Sequence, residues 1–106
     1  MASFEDFAKL EIRIGKVTSA EKVEDADKLL KLEVDFCSEK RQIVSGIAEF
    51  YKPEDLVGKE FPFLFNLEPR TIRGVESQGM ILAVDNEGQV ALLSPDKEVP
   101  VGSTVR

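Results

Sequence analysis

The chain has 106 residues, 42% hydrophobic and 32% charged, with 20 Asp and Glu against 14 Lys and Arg for a formal net charge of −6. That length fits one domain, residues 1–106, with enough apolar surface to bury a core; no apolar run approaches the roughly 18 residues of a membrane span. With no histidine and one cysteine, His-based catalysis, an intrachain disulfide and Cys or His metal clusters are excluded, and the acidic balance argues against coating nucleic acid by bulk charge.

Ser3 before Phe4, Asp6 and Phe7 predicts a short capped helical turn, with Asp6 at its positive end and both Phe on one face. Leu10, Ile12 and Ile14 alternate with Glu11 and Arg13 as a half-buried strand. Gly15 interrupts that alternation before Val17, predicting a bend or bulge through which one long strand serves two parts of a curled sheet. Residues 21–28 are charged around Ala26 and read as a connection. Leu30, Leu32, Val34 and Phe36 alternate with polar residues as the second strand, and residues 42–47 form the third. Pro53 followed by two acids, Leu56, Val57 and Gly58 predicts a one-turn helix. Phe61, Phe63 and Phe65 mark a fourth strand, in which Pro62 calls for an edge position or a bulge. Residues 66–79 read as a loop. Residues 80–84 and 90–93 then flank Asp85-Asn86-Glu87-Gly88 as a hairpin. The order predicts an all-β, five-stranded oligonucleotide/oligosaccharide-binding (OB-fold) barrel with a short helix between strands 3 and 4 and small terminal extensions, a pattern other small barrels share.

No acids are paired as a general acid and base, and Cys37, beside Phe36, lacks a histidine to activate it. An inert thiol in a reducing cytoplasm follows, with no enzyme activity, cofactor or metal expected. The informative segment is N-L-E-P-R-T-I-R-G-V-E-S-Q-G-M at 66–80. Arg70 and Arg73 offer planar forks suited to phosphate, and Asn66, Ser77 and Gln78 add donors and acceptors. From residue types alone, a structural loop with solvated arginines explains the segment equally well.

Several ordered motifs carry a resemblance: F-E-D-F-A-K-L-E-I-R-I-G-K-V at 4–17, A-D-K-L-L-K-L at 26–32, R-Q-I-V-S-G-I-A at 41–48, Y-K-P-E-D-L-V-G-K at 51–59, N-L-E-P-R at 66–70 and G-V-E-S-Q-G-M-I-L at 74–82. Nearly end to end, the chain resembles the tRNA-binding domain family. That module ends methionyl-tRNA synthetases, stands alone in bacterial tRNA-binding proteins, and occurs in synthetase cofactors of the endothelial-monocyte-activating polypeptide type. The resemblance implies recognition of folded tRNA by shape, with little sequence preference, alone or beside a methionyl-tRNA synthetase catalytic body. By position it implies an RNA-facing loop of Asn66, Arg70, Arg73, Ser77, Gln78 and Met80, extended by Lys28, Lys31 and Arg41. A solvated strand edge accounts equally for Lys28 and Lys31, and core packing accounts for Met80 more readily than RNA contact.

Many relatives carry Lys where Glu68 and Thr71 stand, so the resemblance also implies a loop with reduced cationic character. Base stacking needs exposed rings, and only Tyr51 and Phe50 offer them, which favours backbone and shape recognition. The family implies homodimers, for which Phe4, Phe7, Val99, Val101 and Val105 are the candidate apolar contacts; the same residues could plug the barrel ends. A peptide-binding, chaperone-like dimer of the same fold is the alternative function. Met1 followed at once by the domain pattern favours a separately expressed unit. The acids, including those of residues 21–27, are expected mostly outside the RNA face, leaving confined positive spots at Lys40-Arg41 and at Arg70 and Arg73.

Overall fold

The chain opens with helix α1 (Phe4–Ala8), where the Ser3 hydroxyl accepts from the Asp6 N–H at 3.1 Å and the Asp6 carboxylate accepts from the Ser3 N–H at 3.0 Å. This computed structural model describes all of residues 1–106. After α1 come β1 (Ile12–Val23), β2 (Ala26–Asp35), β3 (Lys40–Ser45), α2 (Pro53–Leu56) and β4 (Glu60–Leu64). There follow β5 (Arg70–Ile72), β6 (Val75–Ser77), β7 (Met80–Ile81), β8 (Ala83–Asn86), β9 (Gln89–Leu92) and β10 (Thr104–Val105). The main sheet runs β3-β2-β1-β4-β7, all antiparallel, with β10 added to β1. These five strands in series, with α2 between the third and fourth, are the OB-like arrangement expected from the sequence.

β1 works as two strands in one. Residues Ile12 to Lys16 pair with β4, and from Lys16 onward the strand pairs with β2, with a register shift between Val17 and Ser19. Gly15 marks the change of partner, as anticipated. A Cβ there would collide with Val34 Cγ1 and lie 2.7 Å from Phe36 Cε1, so only glycine lets β1 press onto β2. Inside the curl lie Val17, Leu30, Leu32, Val34, Ile43, Leu56 and Ile81 with Phe36, Phe61, Phe63 and Phe65. Phe36 meets Phe63 and Phe65 edge-on, with ring centroids 5.4 and 5.0 Å apart, a favoured aromatic geometry.

Three expectations need correction. Residues 21–28 are not a loop: β1 and β2 run on to a two-residue turn at Glu24-Asp25, with Val23 opposite Ala26 and Asp25 at φ 60°. The charges there lie on the exposed sides of a two-stranded ribbon, where no core imposes alternation. Residues 66–79 contain the β5–β6 hairpin, which turns at Arg73-Gly74 with φ 53° and 82°. Positive φ at both central positions matches the twist of a tight hairpin. Finally, residues 80–84 do not form one strand. β7 ends at Ile81, the Leu82 N–H donates to the Pro62 carbonyl at 3.1 Å, and β8 leaves to pair with β9 alone. Pro62 therefore sits where the β4–β7 ladder stops at Phe63, an edge-like position that spares its missing N–H.

Candidate nucleic-acid interface

The sheet leaves β3 as an edge strand, and the segment joining β6 to β7 covers it. The Gln78 N–H donates to the Gln42 carbonyl at 2.8 Å, while the Gln78 side-chain oxygen accepts from the Gln42 N–H at 3.0 Å. One residue thus mimics a paired strand. Next to it, the Ser77 hydroxyl accepts from the Val44 N–H and donates to the Gly79 carbonyl, both at 2.9 Å. The Gln42 amide donates to the Glu76 carbonyl at 2.7 Å. These bonds link β3 to the segment that continues into β7, at the far end of the sheet, and they hold the β5–β6 hairpin against β3.

Arg41 reinforces that seam. Its guanidinium donates to the carbonyls of Phe65 and of Gln78, the latter at 3.2 Å, and stacks on the Phe65 ring 3.6 Å from its centroid. Arg13 lies over the same ring at 4.7 Å. Arg41 is thus tied down, with its side chain 19% exposed and its Nε 3.0 Å from the Glu39 carboxylate.

The predicted residues divide accordingly. Ser77 is 3% exposed, so its hydroxyl serves β3 and does not face outward. Asn66 is exposed, but its Oδ1 accepts from the Glu11 N–H at 2.7 Å and its Nδ2 donates to the Lys9 carbonyl at 2.8 Å, fastening the start of β1. Met80 is 41% exposed and is not the core residue its type suggests. Arg70 lies opposite Ser77 on β5, exposed and without an ion pair. Arg73, at the hairpin tip, donates to the Asp25 carbonyl at 3.0 Å, and with Lys28 lines a depression of about 450 Å³. The arm of the hairpin and the arm of β1–β2 therefore meet.

Asn66, Gln78 and Arg41 line one groove of about 370 Å³ with Glu39, Glu68 and Pro69. Arg41 also borders a groove of about 140 Å³ with Lys31, Lys40 and Gln42. The band runs from the hairpin across β3 to β2. Lys40 and Gln42 belong to it and were not picked out as site residues; adjacency to Arg41 was the available signal. Phe50 and Tyr51 line a separate groove of about 690 Å³ beside α2 and residues 94–98, so no exposed ring sits on the band.

Among the acids expected mostly outside the RNA face, Glu21 lies against Lys31, and Asp25 and Asp27 line the depression that holds Arg73 and Lys28. Lys31 Nζ lies 2.7 Å from Glu21, and Lys40 Nζ lies 3.8 Å from Glu33. Two of the five ion pairs in the molecule thus lie on the outer face of β1–β3, where cross-strand register sets the partners together and sequence separation hid them; Arg41, opposite the core residue Val34, projects to the other side with Glu39 beside it.

Residues 12–104 match the family model described as "Putative tRNA binding domain". The chain belongs to the tRNA-binding domain family. Among curated relatives, the methionine–tRNA ligase of Archaeoglobus fulgidus is 56% identical over 103 residues, which is 97% of this chain and 16% of that protein. The chain therefore spans about a sixth of the length of such relatives. A MetRS-related protein from Pyrococcus horikoshii superposes with a TM-score of 0.95 at 45% identity, covering 100% of this chain and 98% of that one. The chaperone CsaA from Bacillus anthracis superposes at 0.91 with 37% identity, covering 100% and 99%. The family match and this full-length likeness make the chain a non-catalytic binding module. No helix is long and apolar enough to cross a membrane.

Proposed function

We propose that the band from the β5–β6 hairpin to β2 binds folded tRNA by shape and backbone contact, with little sequence preference. One observation carries this reading: Arg70, Arg73 and Lys28, none of them in an ion pair although Asp25 and Asp27 share the depression of the latter two, adjoin strands β2 and β3, whose outer face carries Lys31 and Lys40 and whose seam with the hairpin holds Arg41. Forked and flexible cations spread over two arms suit phosphates on a folded RNA surface better than splayed bases. The domain acts in the cytoplasm as an appended module or trans-acting partner of methionyl-tRNA synthetase, where a second tRNA contact raises local concentration. It does so as a homodimer, a reading supported by Phe4 at 80% exposure with Phe7 and Leu10 also exposed; Val99, Val101 and Val105 are half-buried and contribute less.

The test is fluorescence anisotropy with folded tRNA at two salt concentrations. Arg70→Ala combined with Arg73→Ala should weaken binding about tenfold and reduce the salt slope by roughly two. Unchanged affinity in the double variant refutes the assignment. The likeness to CsaA favours a second reading, peptide binding in the groove beside α2 that holds Phe50 and Tyr51. Binding of an unfolded peptide with no tRNA shift would select it.

A further inference from the structure

The segment that carries Arg70 and Arg73 leaves the sheet after β4 and returns to it at β7. The β4–β7 ladder ends at Leu64 opposite Met80, so the stems of the excursion are Phe65 and Gln78, which no backbone hydrogen bond joins. A single nitrogen of Arg41 closes that gap. Its Nη1 donates to the Phe65 carbonyl and, at 3.2 Å, to the Gln78 carbonyl, and neither carbonyl accepts from a backbone N–H. The β6 stem is also bonded to β3 through Ser77 and Gln78, but only Arg41 ties the β5 stem across to it. The rest of the guanidinium is equally committed: Nε and Nη2 donate to the two oxygens of Glu39 at 3.0 and 3.4 Å, and the group stacks on the Phe65 ring. Four of its five N–H groups are therefore used inside the protein. A forked phosphate contact takes two parallel N–H groups, and one is left.

We propose that Arg41 is a positioning residue for tRNA binding: it clasps the base of the β5–β6 excursion so that Arg70 and Arg73 are presented in one orientation, and it makes no forked phosphate contact of its own. This rests on the reading of the hairpin as a tRNA contact. The excursion is closed above by the ladder pair Arg70–Ser77 and below by Arg41, with residues 66–69 between. Opening the lower closure leaves the β5 side free to swing while β6 stays on β3. Arg70 and Arg73 then sample orientations of which only a fraction meets phosphates already fixed in a folded RNA, and affinity falls by that fraction. Lysine cannot replace the clasp. It keeps the charge, but its ammonium ends one bond short of Nη1, offers no planar fork to Glu39 and does not stack flat on Phe65. A cation that acted only by its charge on phosphate would tolerate that exchange.

The experiment measures affinity for folded tRNA in the intact chain, in Arg41→Lys, in the Arg70→Ala, Arg73→Ala variant and in the variant combining all three changes. Each is measured below its melting transition and corrected for the folded fraction. Mispositioning two arginines cannot cost more than removing them, so Arg41→Lys should weaken binding about three- to tenfold. It should have no further effect once Arg70 and Arg73 are gone, a coupling that neither a separate contact nor a general loss of stability produces. Binding by Arg41→Lys as tight as that of the intact chain, or equal weakening in both backgrounds, overturns the proposal. Undiminished binding by the Arg70→Ala, Arg73→Ala variant overturns instead the surface assignment beneath it. If Arg41→Lys does not fold, the intact chain is treated with an arginine-selective dicarbonyl reagent, with and without tRNA, and its peptides are weighed. Arg70 and Arg73 should react and be protected by tRNA, while Arg41 stays unmodified in both conditions. Modification of Arg41 in the free chain that tRNA suppresses overturns the proposal.

Discussion

Replacing Ser77 with Ala separates a contact residue from a structural one. The hydroxyl of Ser77, 3% exposed, is the acceptor for the N–H of buried Val44 and a donor to Gly79. Alanine removes both bonds and leaves the Val44 N–H at the β3 edge with no acceptor. A buried donor stranded in this way loses about 1–3 kcal/mol. Taking about 2 kcal/mol, and roughly 4–8 °C per kcal/mol for a domain of this size, the melting temperature should fall roughly 8–16 °C. Urea denaturation should show a lower midpoint with an unchanged slope, since the same surface is exposed on unfolding. Affinity for tRNA, measured well below the transition and corrected for the folded fraction, should change much less than in the Arg70→Ala, Arg73→Ala variant. A Ser77→Ala protein with wild-type stability and markedly weaker tRNA binding would refute this reasoning and return the hydroxyl to the RNA surface.

Two further outcomes follow from the packing. Gly15→Ala places a methyl against Val34 and Phe36, with the latter's ring carbon 2.7 Å away, and should lower stability by about 1–3 kcal/mol in urea titration; a neutral effect would mean that β1 does not press on β2 as described. Phe4→Ser with Phe7→Ser should convert dimer to monomer in sedimentation equilibrium while leaving the melting temperature of the monomer within a few degrees, because neither ring belongs to the core. A monomer before mutation, or a dimer after it, refutes the proposed contact.

The parts of this molecule that read directly from sequence are those where a core imposes a period. Leu30, Leu32, Val34 and Phe36 alternate because one face of β2 is sealed, and Phe61, Phe63 and Phe65 do so for the same reason. Where the chain leaves the core, that signal vanishes. The β1–β2 arm is exposed on most of its residues, so its charges imitate a loop although its backbone is a ladder. The β5–β6 turn uses Arg73-Gly74 where Asn-Gly or Asp-Gly is the usual signal, which disguised a hairpin as an irregular segment. Ser77 and Gln78 look like surface donors because their partners, Val44 and Gln42, lie 33 and 36 residues away.

Charge shows the same limit in a form that bears on function. A net charge of −6 and a run of local acids say how many carboxylates there are, but the pairing that matters is across strands. Glu21 reaches Lys31 on the next strand, Glu33 reaches Lys40, and Glu39 reaches Arg41 within two residues. Once those pairs are assigned, Arg70, Arg73 and Lys28 are among the cations left without one, and the proposed tRNA contact depends on them. An acidic total and the proposed phosphate-binding surface are then compatible for a physical reason. The excess acids lower attraction for any polyanion at long range, where screening already weakens it over about 10 Å in ordinary salt. Short-range contact depends on the geometry of six cations on two arms and three strands. Under the proposed mode of binding, that geometry suits an RNA whose phosphates are already in place.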